Sequence, residues 1–342
     1  MDFNSLFLIF LGFSILVIVV IDIFLTVIHL GGGGILSKPY SVGIWRIFKW
    51  FSGSNPESVI LNYAGSVILV SLFFFWISII WLGFSLIFLS DDGSVVDSIT
   101  DVNSNEVGKI YFVGYTLTSL GNGDLKSGSD WWRIMTNIMG MGSLFFVSLV
   151  ISYLLPVLQT VVAQRTLATY IYQLGNTPED IILNGWNGKD FSALHKRFST
   201  LETMILKLSE QHLAYPILHY FHADKREYAA PLNLAKLDEA LTIREIYQMD
   251  KNTDNFNWVP IRRSLDNYLL KMKGNFITSS PEPPPFEYPR IPAFWGDLTL
   301  SDSAFQKKLN ELKERRCLLL GLVEKDLWHW QDINKAEDLP PN

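Results

Sequence analysis

Three apolar runs dominate the first half of the chain, over residues 6–30, 59–89 and 134–162. Each reaches the roughly 20 residues that a helix needs to cross a bilayer. After residue 162 hydropathy falls and a helical period takes over. Phe191, Leu194, Phe198, Leu201, Ile205 and Leu208 recur at alternating steps of three and four, an apolar stripe with charges between. The stripe suits the core face of a helix in a compact domain, or a seam between chains in a bundle. Further helices are predicted over 231–249, 260–273 and 301–330, the last with Phe305, Leu309, Leu312, Leu319, Val323 and Leu327 on one face. No strand alternation stands out there, so this half reads as mainly α-helical. The stretch "SSPEPPPFEYPRIPAFWGD" is a proline-rich connector centred on residues 280–296, suited to a surface-wrapping strap or to a partner motif.

Composition sharpens this division. The chain is 49% hydrophobic and its mean hydropathy is +0.20, high for a soluble protein, with the surplus lying before residue 162. A membrane half and a soluble half follow. The formal charge of −6 gives no reason to expect nucleic acid as a partner. Cys317 is the sole cysteine, so no disulfide forms within one chain. The leader "MDFNS" has no basic residue, the apolar run behind it is too long for a signal peptide, and no small-x-small cleavage site follows. The first run therefore reads as a retained helix.

The short loops set an orientation. Residues 31–57 carry Lys38, Arg46 and Lys49 against Glu57, whereas the loop after the second run carries Asp91, Asp92, Asp97, Asp101 and Glu106. The positive-inside rule places the basic loop in the cytoplasm, the acidic loop and the N-terminus outside, and the large C-terminal half in the cytoplasm. With no targeting signal, the expected location is a bacterial plasma membrane, crossed several times. Residues 45–51, "WRIFKWF", suit a short helix in the inner headgroup layer or a loop anchored by its tryptophans.

Between the second and third runs lies "VGKIYFVGYTLTSLGNGDL", residues 107–125. Its first part is apolar and about as long as a half-membrane helix. It then reaches Thr118, Ser119, Leu120, Gly121, Asn122, Gly123 and Asp124. Irregular backbone at membrane depth is tolerated only where it is buried in protein or lines a water-filled cavity. The glycines open backbone angles closed to other residues, so that successive carbonyls can face one way.

This segment resembles the pore loop of potassium channels, usually written "TTVGYGD", and "YFVGYTLTS" resembles the pore helix of that family. The order of helix, acidic turret, pore helix, filter and helix resembles its two-helix pore module, over residues 59–162. The resemblance implies a homotetrameric cation channel, potassium-conducting, with no enzymatic activity and no cofactor or metal beyond the permeant ion. It implies that the carbonyls of Ser119, Leu120, Gly121 and Asn122, with the Ser119 hydroxyl, replace the hydration shell of a cation. Four copies would be needed to encircle it. The pore-helix C-termini would favour a cation in the central cavity, and Asp124 with the acidic turret would concentrate cations outside.

Two departures bear on selectivity. Ser119 stands where the family usually has threonine, keeping the hydroxyl without the methyl that stiffens it. Asn122 stands where the family usually has tyrosine or phenylalanine, whose ring packs sideways against the pore helix. An amide has no such area, but it can hydrogen-bond the backbone or a water behind the filter. A less braced filter would admit sodium as well as potassium. The runner-up reading is a membrane-anchored sensor or scaffold with a poorly conducting, channel-like pore, in which the cytoplasmic half binds a partner.

The third run would line the inner vestibule. Gly140 and Gly142 permit bending or close helix approach, and Pro156 removes a helix hydrogen bond. Leu155 and Leu158 beside it form a candidate hydrophobic constriction. Asp22 is an acid inside an apolar helix, two turns before His29. Such a group faces protein and takes a partner, either His29, in a pH-sensitive pair, or a neighbouring helix, with Asn62 a candidate. The first helix is expected outside the pore, against the second span.

Chemistry is scarce in the C-terminal half. It has no GxGxxG after a strand and no Walker sequence. His219, His222 and Asp224 are a weak candidate metal cluster, better explained as ordinary polar contacts on a helix. The expectation is an all-α membrane protein: an N-terminal transmembrane helix at 1–31, a cytoplasmic linker at 32–57, a pore module at 58–163, and a cytoplasmic helical domain at 164–342 that answers an unidentified cytoplasmic regulator.

Overall fold

The computed structural model describes residues 2–31, 33–247, 258–274, 276–287 and 302–335. Eleven α-helices are described: α1 (Phe3–Val27), α2 (Ser37–Phe51), α3 (Ala64–Leu89), α4 (Glu106–Leu117), α5 (Asp130–Tyr172), α6 (Pro178–Gly185), α7 (Ser192–Ala214), α8 (Ala230–Ile246), α9 (Val259–Met272), α10 (Asp302–Glu311) and α11 (Lys313–Lys325). Three stretches are long and apolar enough to cross a membrane, Phe3–Val27, Val59–Leu89 and Asp130–Tyr172. The third helix runs ten residues past the apolar run that marks it in sequence, ending at Tyr172. It also runs unbroken through Pro156.

Two three-residue strands add to the all-helical expectation. Val95–Asp97 (β1) and Leu125–Ser127 (β2) pair antiparallel, with Val95 opposite Ser127. Three residues are too short for a periodicity to show in sequence.

The chain divides into two compact units. The first comprises residues 1–44 and 67–158. Here α1 lies against α3 through glycine. A Cβ on Gly12 would stand 2.6 Å from the Gly83 carbonyl oxygen, so the two backbones approach as small residues allow. Val19, Ile23, Leu72, Trp76 and Phe146 form one apolar core. A second core joins the end of α3 to α4 and the start of α5, through Phe88, Phe112, Val113, Tyr115, Trp132 and Met139. Asn105 caps α4 by accepting from the Gly108 amide at 2.8 Å.

The second unit comprises residues 45–66 and 159–342. The stripe on α7 is buried within it. Phe191, Phe198, Leu201 and Ile205 are fully covered and join a core shared with α8, α9 and α11. The stripe is therefore the inner face of a compact unit. The helix expected over 301–330 is broken at Leu312 into α10 and α11. Buried charge ties the unit together. Asp238 on α8 takes Arg262 of α9 at 2.9 Å and Arg315 of α11, and Glu239 takes Arg316 at 2.7 Å. Arg316 also donates to the Pro284 and Pro285 carbonyls, so the first part of the proline-rich stretch is strapped onto α11. Residues 288–296 of that stretch lie outside the described residues, as do 248 and 249 of the helix expected over 231–249.

Candidate functional site

The segment after α4 has an unusual backbone. Left-handed φ recurs at every second residue, 57° at Ser119, 59° at Gly121 and 78° at Gly123, while Leu120 and Asn122 between them are not left-handed. Alternating handedness lets successive carbonyls face one side of a chain. Glycine adopts it without strain, whereas a serine at positive φ is uncommon. Residues 118–124 are all exposed, and a Cβ on Gly121 or Gly123 would meet no atom within 4 Å.

The segment is fastened at both ends. At its start the Thr118 hydroxyl donates to the Gly114 and Tyr115 carbonyls at 3.1 and 3.2 Å, and the Leu120 amide to the Tyr115 carbonyl at 2.9 Å. Buried Ser143 on α5 donates to the Leu117 carbonyl. At its end the Tyr115 hydroxyl donates to the Leu125 carbonyl at 2.8 Å, and the Ser98 amide to the Asp124 carbonyl at 2.9 Å. Midway, the Asn122 amide donates to the Tyr111 hydroxyl. Tyr111 and Tyr115 stand one turn apart on α4 with their rings 5.0 Å apart, edge to face. The Asn122 amide thus takes a side-chain partner, where its position in sequence suggests the backbone or a water.

The acidic loop is structured as well. Lys109 is buried and donates to the Asp91 carbonyl at 2.9 Å, 3.7 Å from the Asp92 carboxylate. The Asp91 carboxylate takes the Trp132 indole at 2.7 Å. Hydrogen bonds from Thr100 hold the Asp97 carboxyl below its ordinary range, and Lys126 pairs with Asp101 at 2.7 Å. Several acids of this loop therefore serve the loop itself. Asp92 is fully exposed, and Asp124 is exposed at the end of the segment.

Alignment of the whole chain gives a second line of information. The chain is 31% identical over 327 residues to the uncharacterized membrane protein YdjJ of Bacillus subtilis (strain 168), covering 93% of this chain and 94% of that one. It belongs to the YdjJ family of membrane proteins. No protein-family model matches the chain, and no solved structure matches it.

Within this YdjJ-family chain the candidate constriction residues lie on the surface of α5. Leu155 and Leu158 are 56% and 44% exposed, and they stand on an unbroken helix with half-buried Pro156. Nothing approaches the Cβ positions of Gly140 and Gly142, so these glycines make no close helix contact in the single chain.

Asp22 is wholly buried, but its partners are neither His29 nor Asn62. It accepts from the Leu36 and Ser37 amides at 2.6 and 3.1 Å, from the Ser37 hydroxyl, and from the Trp76 indole at 2.8 Å. It therefore caps α2 from α1, where the positive helix end favours a carboxylate. His29 is exposed past the end of α1, and Asn62 instead accepts from the Asp224 amide at 2.9 Å. His219 and His222 do not share a helix face. A 3-10 turn ends at Tyr220, and His222 follows it. Among the described residues no three His, Cys, Asp or Glu side chains are placed to hold a metal.

Sequence reasoning missed Tyr111, Tyr115, Ser143 and Lys109. Tyr111 and Tyr115 are four apart, the spacing that puts two side chains on one helix face. That was a legible signal of a shared task. Ser143 offered no such signal, since its partner is a backbone carbonyl of another helix.

Proposed function

We propose that the chain is one subunit of a homotetrameric cation channel, with residues 118–124 lining the conducting path. The observation that carries this is the left-handed φ at Ser119, Gly121 and Gly123 directly after α4, a helix of 12 residues lying between two membrane-length helices. Twelve residues rise about 18 Å, roughly half of a hydrocarbon core of about 30 Å. An exposed irregular backbone cannot face lipid. Symmetric copies around a water-filled axis would remove that conflict and would cover the exposed Leu120 and the exposed face of α5.

In this reading potassium is the favoured ion. The Asn122–Tyr111 hydrogen bond braces the segment with less contact area than a ring would, which favours partial admission of sodium. Residues around Leu155 and Leu158 would meet near the axis as a constriction. The N-terminus would face outward and the second unit the cytoplasm.

Purified protein in potassium-loaded liposomes tests the reading. Cation flux that saturates with protein and persists with Asn122→Tyr supports it. With potassium facing sodium, the wild-type reversal potential should lie away from zero and move further in Asn122→Tyr. Absence of flux of either ion in both proteins would refute the channel and favour a membrane-anchored partner-binding role.

A further inference from the structure

The stretch from Trp45 in α2 to Gly65 in α3 is gripped, inside the second unit, by residues 220–224. The Trp45 and Tyr220 rings lie 6.0 Å apart, the Phe221 ring occupies the space beside Gly65, and Asn62 accepts from the Asp224 amide at 2.9 Å. At the centre stands His222, its side chain fully buried and stacked on Trp328. One ring nitrogen, Nε2, lies 2.7 Å from the Pro56 carbonyl oxygen, and the other, Nδ1, lies 3.0 Å from the Asp326 carboxylate.

This geometry counts protons. A carbonyl only accepts, so Nε2 must carry a hydrogen and donate it to Pro56. A neutral ring protonated at Nε2 then presents a lone pair at Nδ1. An ionised Asp326 also only accepts, and two acceptors at that distance repel. One further proton from solvent, on Nδ1 or on the carboxyl, turns the repulsion into a hydrogen bond. We propose that His222 and Asp326 form a one-proton binding site whose occupancy fastens residues 55–62 to the C-terminal part of the second unit. The proposal does not depend on ion conduction.

The surrounding charges fit. Burial of the His222 ring opposes its charged form, but Asp326, the Pro56 carbonyl and Asp224 outweigh burial and hold it above the ordinary histidine value. Burial likewise pushes the Asp326 carboxyl up, against the pull of His222. The pair thus keeps its shared proton to higher pH than a free histidine would. The other groups around it do not supply that proton. His212 on α7 and His219 line the same pocket as Asp326, with Tyr268 of α9. Burial pushes His212 down to about 4, and burial with the neighbouring His212 and Lys325 pushes His219 down to about 3, so both stay neutral. Burial raises the Tyr268 phenol out of range. Glu239 on α8, pushed up to about 7 by burial against the pull of Arg316, shares the pH window.

The sign follows by linkage. Released, His222 titrates near its ordinary value of about 6.5. Docked, the pair keeps the proton above that pH. Docking is therefore fully present below about pH 6.5, weakens by up to tenfold per pH unit above it, and levels off once the docked pair has also lost the proton.

Hydrogen exchange of amides 57–63 in the full-length protein in lipid nanodiscs, at pH 6 to 9 and scaled for intrinsic rates, tests this. Wild-type protection should fall as described while protection of α7 and α9 stays level. Asp326→Asn should abolish the fall, because its amide can donate to the Nδ1 of a neutral ring. Glu239→Gln should keep it. A flat wild-type profile would overturn the proposal. So would a wild-type slope in Asp326→Asn, or loss of the slope in Glu239→Gln, which would assign the proton to Glu239.

Discussion

Asp22 and Asn122 are two polar side chains set among the apolar runs of the first unit, and they are treated in opposite ways. Asp22 is wholly buried and takes hydrogen bonds from two amides, a hydroxyl and an indole, all from its own chain. Asn122 is exposed, and a single described bond to Tyr111 holds its side chain while its neighbours hang between two fastened ends. A buried carboxylate without donors is expensive, so a polar group that only shapes the fold must be closed off by that fold. A polar segment left open in a single chain points instead to something outside the chain, water, an ion or further copies. The contrast separates an architectural polar site from a candidate working one.

The strongest way to break the comparison is Asp22→Ala. It would strand the Leu36 and Ser37 amides and the Ser37 hydroxyl at once, and leave the Trp76 indole with the Ser37 hydroxyl at 3.1 Å. Each buried orphan costs about 1–3 kcal/mol, partly recovered by relaxation, so a loss of about 3–5 kcal/mol is expected. Chemical unfolding in detergent, followed through tryptophan emission, reads it. A loss below about 1 kcal/mol would mean that these donors find other acceptors and that Asp22 is not the capping group.

The two sites also differ in how far they were legible in sequence. An acid inside an apolar run announces that it has partners, and the motif "TSLGNGD" announces an irregular backbone. The particular partners were not legible. The donors to Asp22 come from the start of α2, 14 and 15 residues on, and from Trp76, 54 residues on. That meeting is fixed by how α1, α2 and α3 fold together, not by any spacing. His29 and Asn62 were reasonable by helix period and by chemistry, yet His29 falls beyond the last turn of α1 and Asn62 belongs to the second unit. The apolar stripes were easier to read. The stripe from Phe191 to Leu208 was legible because its period decides which face is buried, and the three long runs because their apolar length alone suits a span.

A middle-sized effect comes from the link between α5 and the fastened start of the open segment. Ser143 is buried and donates to the Leu117 carbonyl at the end of α4. Ser143→Ala removes that donor and leaves a carbonyl that Thr118 and its neighbours do not serve. A loss of about 1 kcal/mol is expected. If the start of the segment depends on this bond, exchange of the Ser119 and Leu120 amides should also quicken relative to those of β2. Unchanged exchange there would place the anchoring in Thr118 and Tyr115 alone.

The smallest effect on stability carries the sharpest question about function. Tyr111→Phe deletes only the hydroxyl that holds Asn122, at an exposed position, so stability should move by no more than about 0.5 kcal/mol. On the proposed reading, the same deletion loosens the middle of the ion path. Tyr111→Phe and Asn122→Ala should each lower the preference for potassium over sodium in a liposome flux assay, and by similar amounts. The double variant should be no worse than either alone, because both remove one shared bond. Full additivity would show that the two side chains act separately and that this hydrogen bond does not brace the segment. The ring of Tyr111 remains in place throughout, packed against Tyr115. The experiment therefore isolates the polar brace from the aromatic packing beside it, which Asn122→Tyr cannot do.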